Sequence, residues 1–541
     1  MINKKILLCF LLFIQLTAFG QVKLSKDFLV TVGKPYKVVD AKSKEYFSDG
    51  KGFTIAVKTD GEVVTLQRYE IANMKEVNRK EYEDFPDAMK LQKVLKMGDR
   101  LFYIFSSFNK KERKEDIYSR EVNMADATFQ PAKLLFSTAS EVAVSSYGEI
   151  ASMSWVPMGM PIRFEVYKSF DNSKLLIRYR LKPEERDDSK NYDVIGFYVF
   201  DAKLDKLWGG EVKMPYTEKV MNNLAYGVTK DGNAFMLAYI NSSKKIELLN
   251  ITKDLKVKAN KLDVNGELMF QELKLRETVD GNLACIGYYA NGIDYKFSFG
   301  GGNLSFNTNG ILVFKIDPNG KVLENYNFEF PIALINQYES KRDIGKNEKR
   351  EDKGKAGIRD VKLIDLSLNA DGTVIVVGEQ QYIVSSGGMM GVGMTSQKNT
   401  YYYGDVIATK FDKTGKLIWM KKLPKTQLGY AGKGGMSIKY MKGQTSSYIL
   451  YLDNVKNANI SMDEVPKEHV DQRGGYLTAY KVDDATGSIE KHSIFDITDI
   501  KGTEAYQFRT SRIFDAYDKV FMLEVYIKGK EDTMIMMELT K

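Results

Sequence analysis

Val374, Ile375, Val376 and Val377 follow one another with no polar residue between them to mark a solvent side. A half-exposed strand alternates with a period of two, so this unbroken β-branched run predicts a strand covered on both faces. Before it, Leu363 to Leu368 is a second apolar run, joined to it by the turn Asn369-Ala-Asp-Gly372. After a glycine-rich excursion, Asp405 to Leu423 reads as a strand, the tight turn Asp412-Lys-Thr-Gly415 and a strand carrying Trp419. In that last strand Leu417 and Trp419 point one way and Ile418 and Met420 the other, so both sides are again apolar. Residues 361–425 thus read as four strands, A to D.

The same order recurs along the chain. Thr59-Asp-Gly61, Asp171-Asn-Ser173, Lys230-Asp-Gly-Asn233, Val279-Asp-Gly-Asn282, Asp317-Pro-Asn-Gly320 and Asp483-Asp-Ala-Thr-Gly487 each separate two apolar runs. Asp or Asn accepts hydrogen bonds from the backbone ahead of it, and Gly takes the positive φ that closes a hairpin. Units fall at 47–90, 91–140, 162–215, 222–263, 270–331, 361–425, 436–497 and 508–541. Self-similarity at this period is the mark of radial repeat folds. The expectation is an all-β chain: a single β-propeller of about eight four-stranded blades, with seven blades and an accessory hairpin as the alternative because 91–140 is poorly marked. The last unit lacks a fourth strand. Phe28 to Val39 is predicted to supply it, closing the ring and leaving no bare sheet edge.

The hairpin Asp412, Thr414, Gly415, Trp419 fits a D-x-T-G-x-x-x-W signature, and Asp484, Thr486 and Gly487 repeat its turn without the Trp. In this the chain resembles secreted bacterial β-propeller proteins with quinoprotein-like repeats. The resemblance implies the fold alone. The quinone chemistry of some such proteins is not carried over, because neither a vicinal cysteine pair nor a convincing calcium loop is present; no cofactor is expected.

Composition narrows the class. With 32 Tyr, 29 Phe and 43 Gly the chain is rich in strand and turn formers. Lys4 and Lys5, the apolar run Ile6–Leu16 and Ala18-Phe-Gly20 read as a signal peptide over residues 1–20. Residues 21–541 are then one propeller domain, secreted and periplasmic or associated with the cell envelope. No later segment is long and apolar enough to span a membrane. Removing residues 1–20 deletes two lysines and no acid, so the net charge falls from +8 to +6. That charge is spread along the chain, not gathered in a basic stripe, so nucleic acid is not an expected partner. Cys285 is then the sole cysteine and sits in Leu283-Ala-Cys-Ile286, the setting of an inert buried thiol.

Insertions fall between strands B and C or between one unit's D and the next unit's A. They are Pro183–Asn191, Ala290–Gly310, Val384–Gly404 and Asn454–Gly475, with Ser137–Pro161 and Ile332–Asp360. In an up-and-down blade both connections emerge at the same end, so the long loops are predicted to converge on one face, where binding usually sits. The opposite face, built of short turns, is expected to be plain. On the long-loop face the candidate contacts are Trp155, Arg350 and Tyr401, Tyr402 and Tyr403. The three tyrosines read either as an aromatic platform for sugar or peptide or as the start of strand C. The run Lys341–Arg359, eight basic and four acidic residues, is expected to be a solvated loop, and Ser385–Met394 a flexible glycine-rich one.

Two histidines, His469 and His492, lack metal-ligand spacing to each other, and neither HExxH nor G-x-S-x-G occurs. No metal site and no catalytic residues are nominated. The expected function is a non-enzymatic binding or scaffold module for a protein, peptide or glycan partner. The alternative is a glycan- or peptide-processing hydrolase with two carboxylates at the axial mouth.

Overall fold

Val374 and Val376 pack toward one neighbouring sheet, and Ile375 and Val377 toward the other. That two-sided burial recurs around a ring. In this computed structural model the chain is an eight-bladed β-propeller, with residues 24–143, 163–185, 187–264, 268–291, 293–296, 303–390, 394–429, 435–471 and 474–540 described. The blades span 43–82, 90–137, 165–217, 221–261, 269–329, 361–423, 439–496 and 514–539, numbered 1 to 8 in chain order. Each is an antiparallel sheet whose main strands follow in sequence order. The leader expected at residues 1–20 and the candidate Trp155 lie outside the described residues.

Blade 8 takes its outer strand from the start of the chain. Phe28–Val32 pairs antiparallel with Glu531–Leu539, Phe28 opposite Leu539 and Val32 opposite Ile535. Tyr36 and Lys37 extend the same edge opposite Asp532 and Glu531. Among the described residues the buried apolar side chains form eight clusters, each dominated by two neighbouring blades. One joins blade 8 to blade 1 through Tyr46, Ala56, Tyr69, Phe514 and Met522. Hydrophobic burial therefore runs round a closed circle, and the eight-blade reading holds over seven. Blade 2 is poorly marked in sequence because its outer strand is broken into Thr128–Phe129 and Lys133–Ser137, both paired to Lys114–Asn123. Pro131, with no N–H to donate, sits in the gap.

The signature hairpin fastens one blade to the next. Asp412 Oδ1 accepts from the N–H groups of Thr414 and Lys416 at 2.8 and 3.0 Å, and Gly415 adopts φ +90°. Trp419 reaches across to blade 7, where Nε1–H donates to Asp484 O at 3.2 Å. Its ring lies over Gly487, where an added Cβ would approach the indole to 2.7 Å. Trp208 of blade 3 repeats the contact, donating to Gly232 O of blade 4 at 2.8 Å.

Three expectations are corrected. Leu417 and Ile418 are exposed, so the start of this outer strand is not covered on both faces; an outermost strand has wedge contacts only where the next blade reaches it. The mixed-charge run is not a loop throughout: Lys341–Glu351 is a helix, capped by Ser340 Oγ accepting from Asp343 N–H, with Lys349 and Arg350 in its last turn. Residues 384–390 and 394–404 are not an irregular loop either. Strands B and C of blade 6 run on as Val374–Met390 and Met394–Phe411, 17 and 18 residues long.

Candidate functional site

Connections of blades 5, 6 and 7 lie together at one end of these blades. There the helices Ile332–Asn336 and Lys341–Glu351 lie beside a small sheet of Ile293–Lys296, Asn303–Thr308 and Ile358–Arg359. Asn291 and Asn307 hold this insertion down by donating to Gly354 O and Lys355 O. Next to it stands the long blade 6 hairpin. Its Tyr401–Tyr403 segment also pairs with Gln427–Gly429, which in turn pairs in parallel with His469–Val470 from the long blade 7 connection.

Two adjoining cavities, of about 300 and 150 Å³, open between these elements. Glu339, Gln380 and Tyr382 line both. The larger also has Asn307, Asn347, Arg350 and Arg359; the smaller has Tyr338, Tyr402, Tyr403, Lys425 and Pro466. Tyr382 and Tyr402 face each other across the hairpin register, their rings stacked at 4.9 Å and 7°. The Arg359 guanidinium lies 4.0 Å from the Tyr382 ring centroid. An aromatic pair with a cation on one face and amides beside it can take a sugar ring or a peptide side chain by stacking and hydrogen bonding.

The floor is charged and buried. Lys425 is fully buried and pairs with Glu379 at 2.7 Å while donating to Tyr403 O and Gln427 Oε1, both at 3.0 Å. Lys422, equally buried, contacts Glu339 and Asp405, each at 3.2 Å. Burial raises the pKa of Glu339 and of Asp405, and Lys422 opposes the rise in both. Burial likewise lowers Lys425, with Glu379 opposing. One ammonium thus sits against both groove carboxylates, and Asp343 at the rim pairs with Lys346 at 2.6 Å.

Of the residues nominated from sequence, Tyr402, Tyr403 and Arg350 line this groove. Tyr403 is mostly an internal support, 6 % exposed. Tyr401 is half-buried in the same strand and lines neither cavity. The tyrosine run belongs to strand C, and its middle member stacks on Tyr382. Sequence reasoning missed Tyr382, Arg359, Glu339, Lys422 and Lys425. Only strand register reveals Tyr382 as the partner of Tyr402, and a buried lysine looks like any surface lysine in sequence.

The short-turn face is not plain. A cavity of about 510 Å³ lies between blades 1 and 2, lined by Phe53, Arg68, Arg100, Glu121 and Met124 among others. Its two arginines are engaged: Arg68 stacks 3.3 Å from the Phe53 ring centroid and donates to Met124 O, and Arg100 is bidentate to Glu121.

No family model matches the chain, and no curated protein matches it. Solved structures are similar at low identity. An uncharacterised protein of Listeria monocytogenes is 7 % identical with a TM-score of 0.32, covering 78 % of this chain and 84 % of its own. A protein of unknown function from Bacteroides caccae is 10 % identical with a TM-score of 0.26, covering 68 % and 93 %. The β-propeller domain of the Trilobed protease from Pyrococcus furiosus is 9 % identical with a TM-score of 0.34, covering 85 % and 98 %. The last is likewise a propeller; at this degree of superposition none informs the site.

Proposed function

We propose that this chain is a secreted, non-enzymatic binding module of the cell envelope, akin to secreted bacterial propeller repeat proteins, that seats a peptide, protein or glycan partner on its long-loop face. The observation that carries the reading is the stacked Tyr382–Tyr402 pair with Arg359 against it, in a groove whose carboxylates are all paired with lysines. Stacking surfaces with committed acids serve recognition better than proton transfer.

The test is a glycan array and a displayed peptide library, probed with wild type, Tyr402→Ala, Arg359→Ala and the opposite-face control Lys413→Ala. The expected result is a ligand whose binding falls about tenfold or more in the two groove variants, as for a stacked anchor, and is kept by the control. Binding that is lost only in the control overturns the assignment. The hydrolase alternative draws support from one feature, the raised pKa of Glu339 and Asp405 at the groove. Turnover of a bound glycan or peptide, abolished by Glu339→Gln, would replace the binding reading.

A further inference from the structure

Three metal-ligating side chains meet where the closing strand reaches the outer edge of blade 7, at the end opposite the long loops. Asp27 directly precedes Phe28–Val32, and it is buried. Glu490 and His492 stand two apart on the outer strand Ile489–Asp496 and so share one side of it. Their ligand atoms and that of Asp27 all lie within 4.8 Å of one another. His492 Nε2 is 3.3 Å from Glu490 Oε2 and 3.9 Å from Asp27 Oδ2.

The histidine is set up as a ligand. Its Nδ1 lies 2.9 Å from Ser25 Oγ, and that same hydroxyl oxygen accepts from Asp27 N–H at 3.1 Å. Ser25 N–H is itself tied to Ser493 O at 2.7 Å, so the orienting hydroxyl is fixed to the strand that carries the imidazole. In the tautomer that donates Nδ1–H to Ser25, the lone pair on Nε2 faces two carboxylates. Nε2 is buried and has no hydrogen-bond partner. A proton there would be expected to point at one of the carboxylates; a metal ion satisfies all three groups together. Metal–ligand bonds of about 2.0–2.2 Å in a tetrahedron separate neighbouring ligand atoms by about 3.3–3.6 Å; the 3.3 Å spacing to Glu490 matches this, and the 3.9 Å spacing to Asp27 closes by a few tenths of an ångström when the ion binds.

We propose that Asp27, Glu490 and His492 bind a divalent first-row cation, Zn²⁺ by preference, as a clasp between the N-terminal closing segment and blade 7. One imidazole nitrogen among the donors favours Zn²⁺ over Mg²⁺ or Ca²⁺, which seek oxygen alone. Water takes the fourth position. Lys481, 3.2 Å from Asp27 Oδ2, remains beside the site as an outer partner of the same carboxylate. Binding links residue 27 to residues 490 and 492 and so adds to ring closure.

The experiment uses tag-free protein stripped with chelator and titrated with Co²⁺ and Zn²⁺. The chain has two histidines, and the other, His469, is 3 % exposed, so an imidazole signal is assignable to His492. Expected are one equivalent of Co²⁺ with visible ligand-field bands, displacement by Zn²⁺, and a higher unfolding midpoint with Zn²⁺. His492→Ala removes the bands, and Ser25→Ala weakens binding about 10–100-fold, as outer-shell losses do. Glu490→Gln alters an exposed carboxylate, so the fold is kept, and it too weakens binding at least about tenfold. Absence of Co²⁺ bands, affinity unchanged in both Glu490→Gln and His492→Ala, or Ca²⁺ binding as tightly as Zn²⁺ overturns the proposal.

Discussion

Lys58→Met is expected to loosen the ring at the seam that joins its two chain ends. Lys58 and Lys44 of blade 1 face Glu524 and Asp532 of blade 8, and all four side chains are nearly or wholly buried. Glu524 accepts from Lys58 at 2.6 Å, Lys44 at 3.1 Å, Tyr36 at 2.7 Å and Tyr46 at 2.8 Å. Two cations balance two carboxylates, so removing Lys58 leaves one uncompensated negative charge in the core. Breaking a buried pair by deleting one partner costs about 3–5 kcal/mol.

The cost must also depend on pH. Burial pushes Glu524 up, but Lys58, Lys44 and its hydrogen bonds outweigh burial and hold it down to about 2. Burial, and then the Glu524 charge, push Asp532 up to about 6. Glu524 stabilises the fold above its ordinary range and loses that contribution as pH falls toward its folded value; near neutrality it adds no slope. Asp532 has the opposite sign. The folded chain binds its proton more tightly than the unfolded chain, so stability falls as pH rises through its folded pKa. Without Lys58 that pKa rises further, and the sloping window extends above neutrality at up to about 1.4 kcal/mol per pH unit. The deficit of Lys58→Met should therefore shrink from about 3–5 kcal/mol near pH 8 to about 1–2 near pH 6. Urea unfolding followed by tryptophan fluorescence at several pH values measures it. Adding Asp532→Asn should recover most of the loss and flatten the slope. A deficit under about 1 kcal/mol, or one equal at both ends of the pH range, would refute the reasoning.

Deleting residues 24–39 exposes Phe28 and Val30 together with the edge they cover, about 3–6 kcal/mol from those two side chains alone; circular dichroism should show the cooperative transition lost, and an unchanged melting midpoint would contradict ring closure. Gly196→Ala places a Cβ 2.2 Å from the ring of the buried Tyr179, so thermal unfolding should report a loss of about 1–3 kcal/mol. Burial raises the Cys285 thiol well above its ordinary pKa; in protein produced without residues 1–20 a thiol reagent should stay unreacted until denaturant is added, and prompt native labelling would contradict it.

The repeat was legible because its signals are local. Asp412 and Asp317 each accept from the backbone N–H groups two and four residues ahead at 2.8–3.0 Å, and that chemistry is written in adjacent letters. Two-sided burial at 374–377 was legible for the same reason. The helix at Lys341–Glu351 has a local signal too, Ser340 with Asp343 three residues on, but it lies within a run of mixed charges whose composition is that of a solvated loop. The groove was not legible. Tyr382 meets Tyr402 only through a hairpin register set over many residues, and Glu339 meets Lys422 across 83 positions. The pairing of Asp27 with His492 likewise exists only once the ring has closed.

The same difficulty hides the buried lysines, and their placement has a consequence for function. Lys58, Lys422 and Lys425 are each without side-chain exposure and lie at the loop end of their blades. Lysine is rarely buried, since its ammonium must be paired to leave water. Here each ammonium has a carboxylate, and two also grip main chain. Lys422 donates to Ile335 O at 3.1 Å and Gln337 O at 2.7 Å, which fixes the insertion between blades 5 and 6 onto the blade 6 edge. Lys425 donates to Tyr403 O and lies within reach of the Tyr403 ring, which fixes the hairpin bearing the aromatic pair. Both walls of the groove are thereby anchored from beneath, one by Lys425 in the floor of the smaller cavity and one by Lys422, which lines neither cavity. A partner seated there loses little freedom in ordering its receptor, and preorganisation of that kind raises affinity without adding contact area. Lys422→Met should accordingly weaken a groove ligand although the side chain is buried beneath the site, and a binding constant unchanged by it would separate the walls from their anchors.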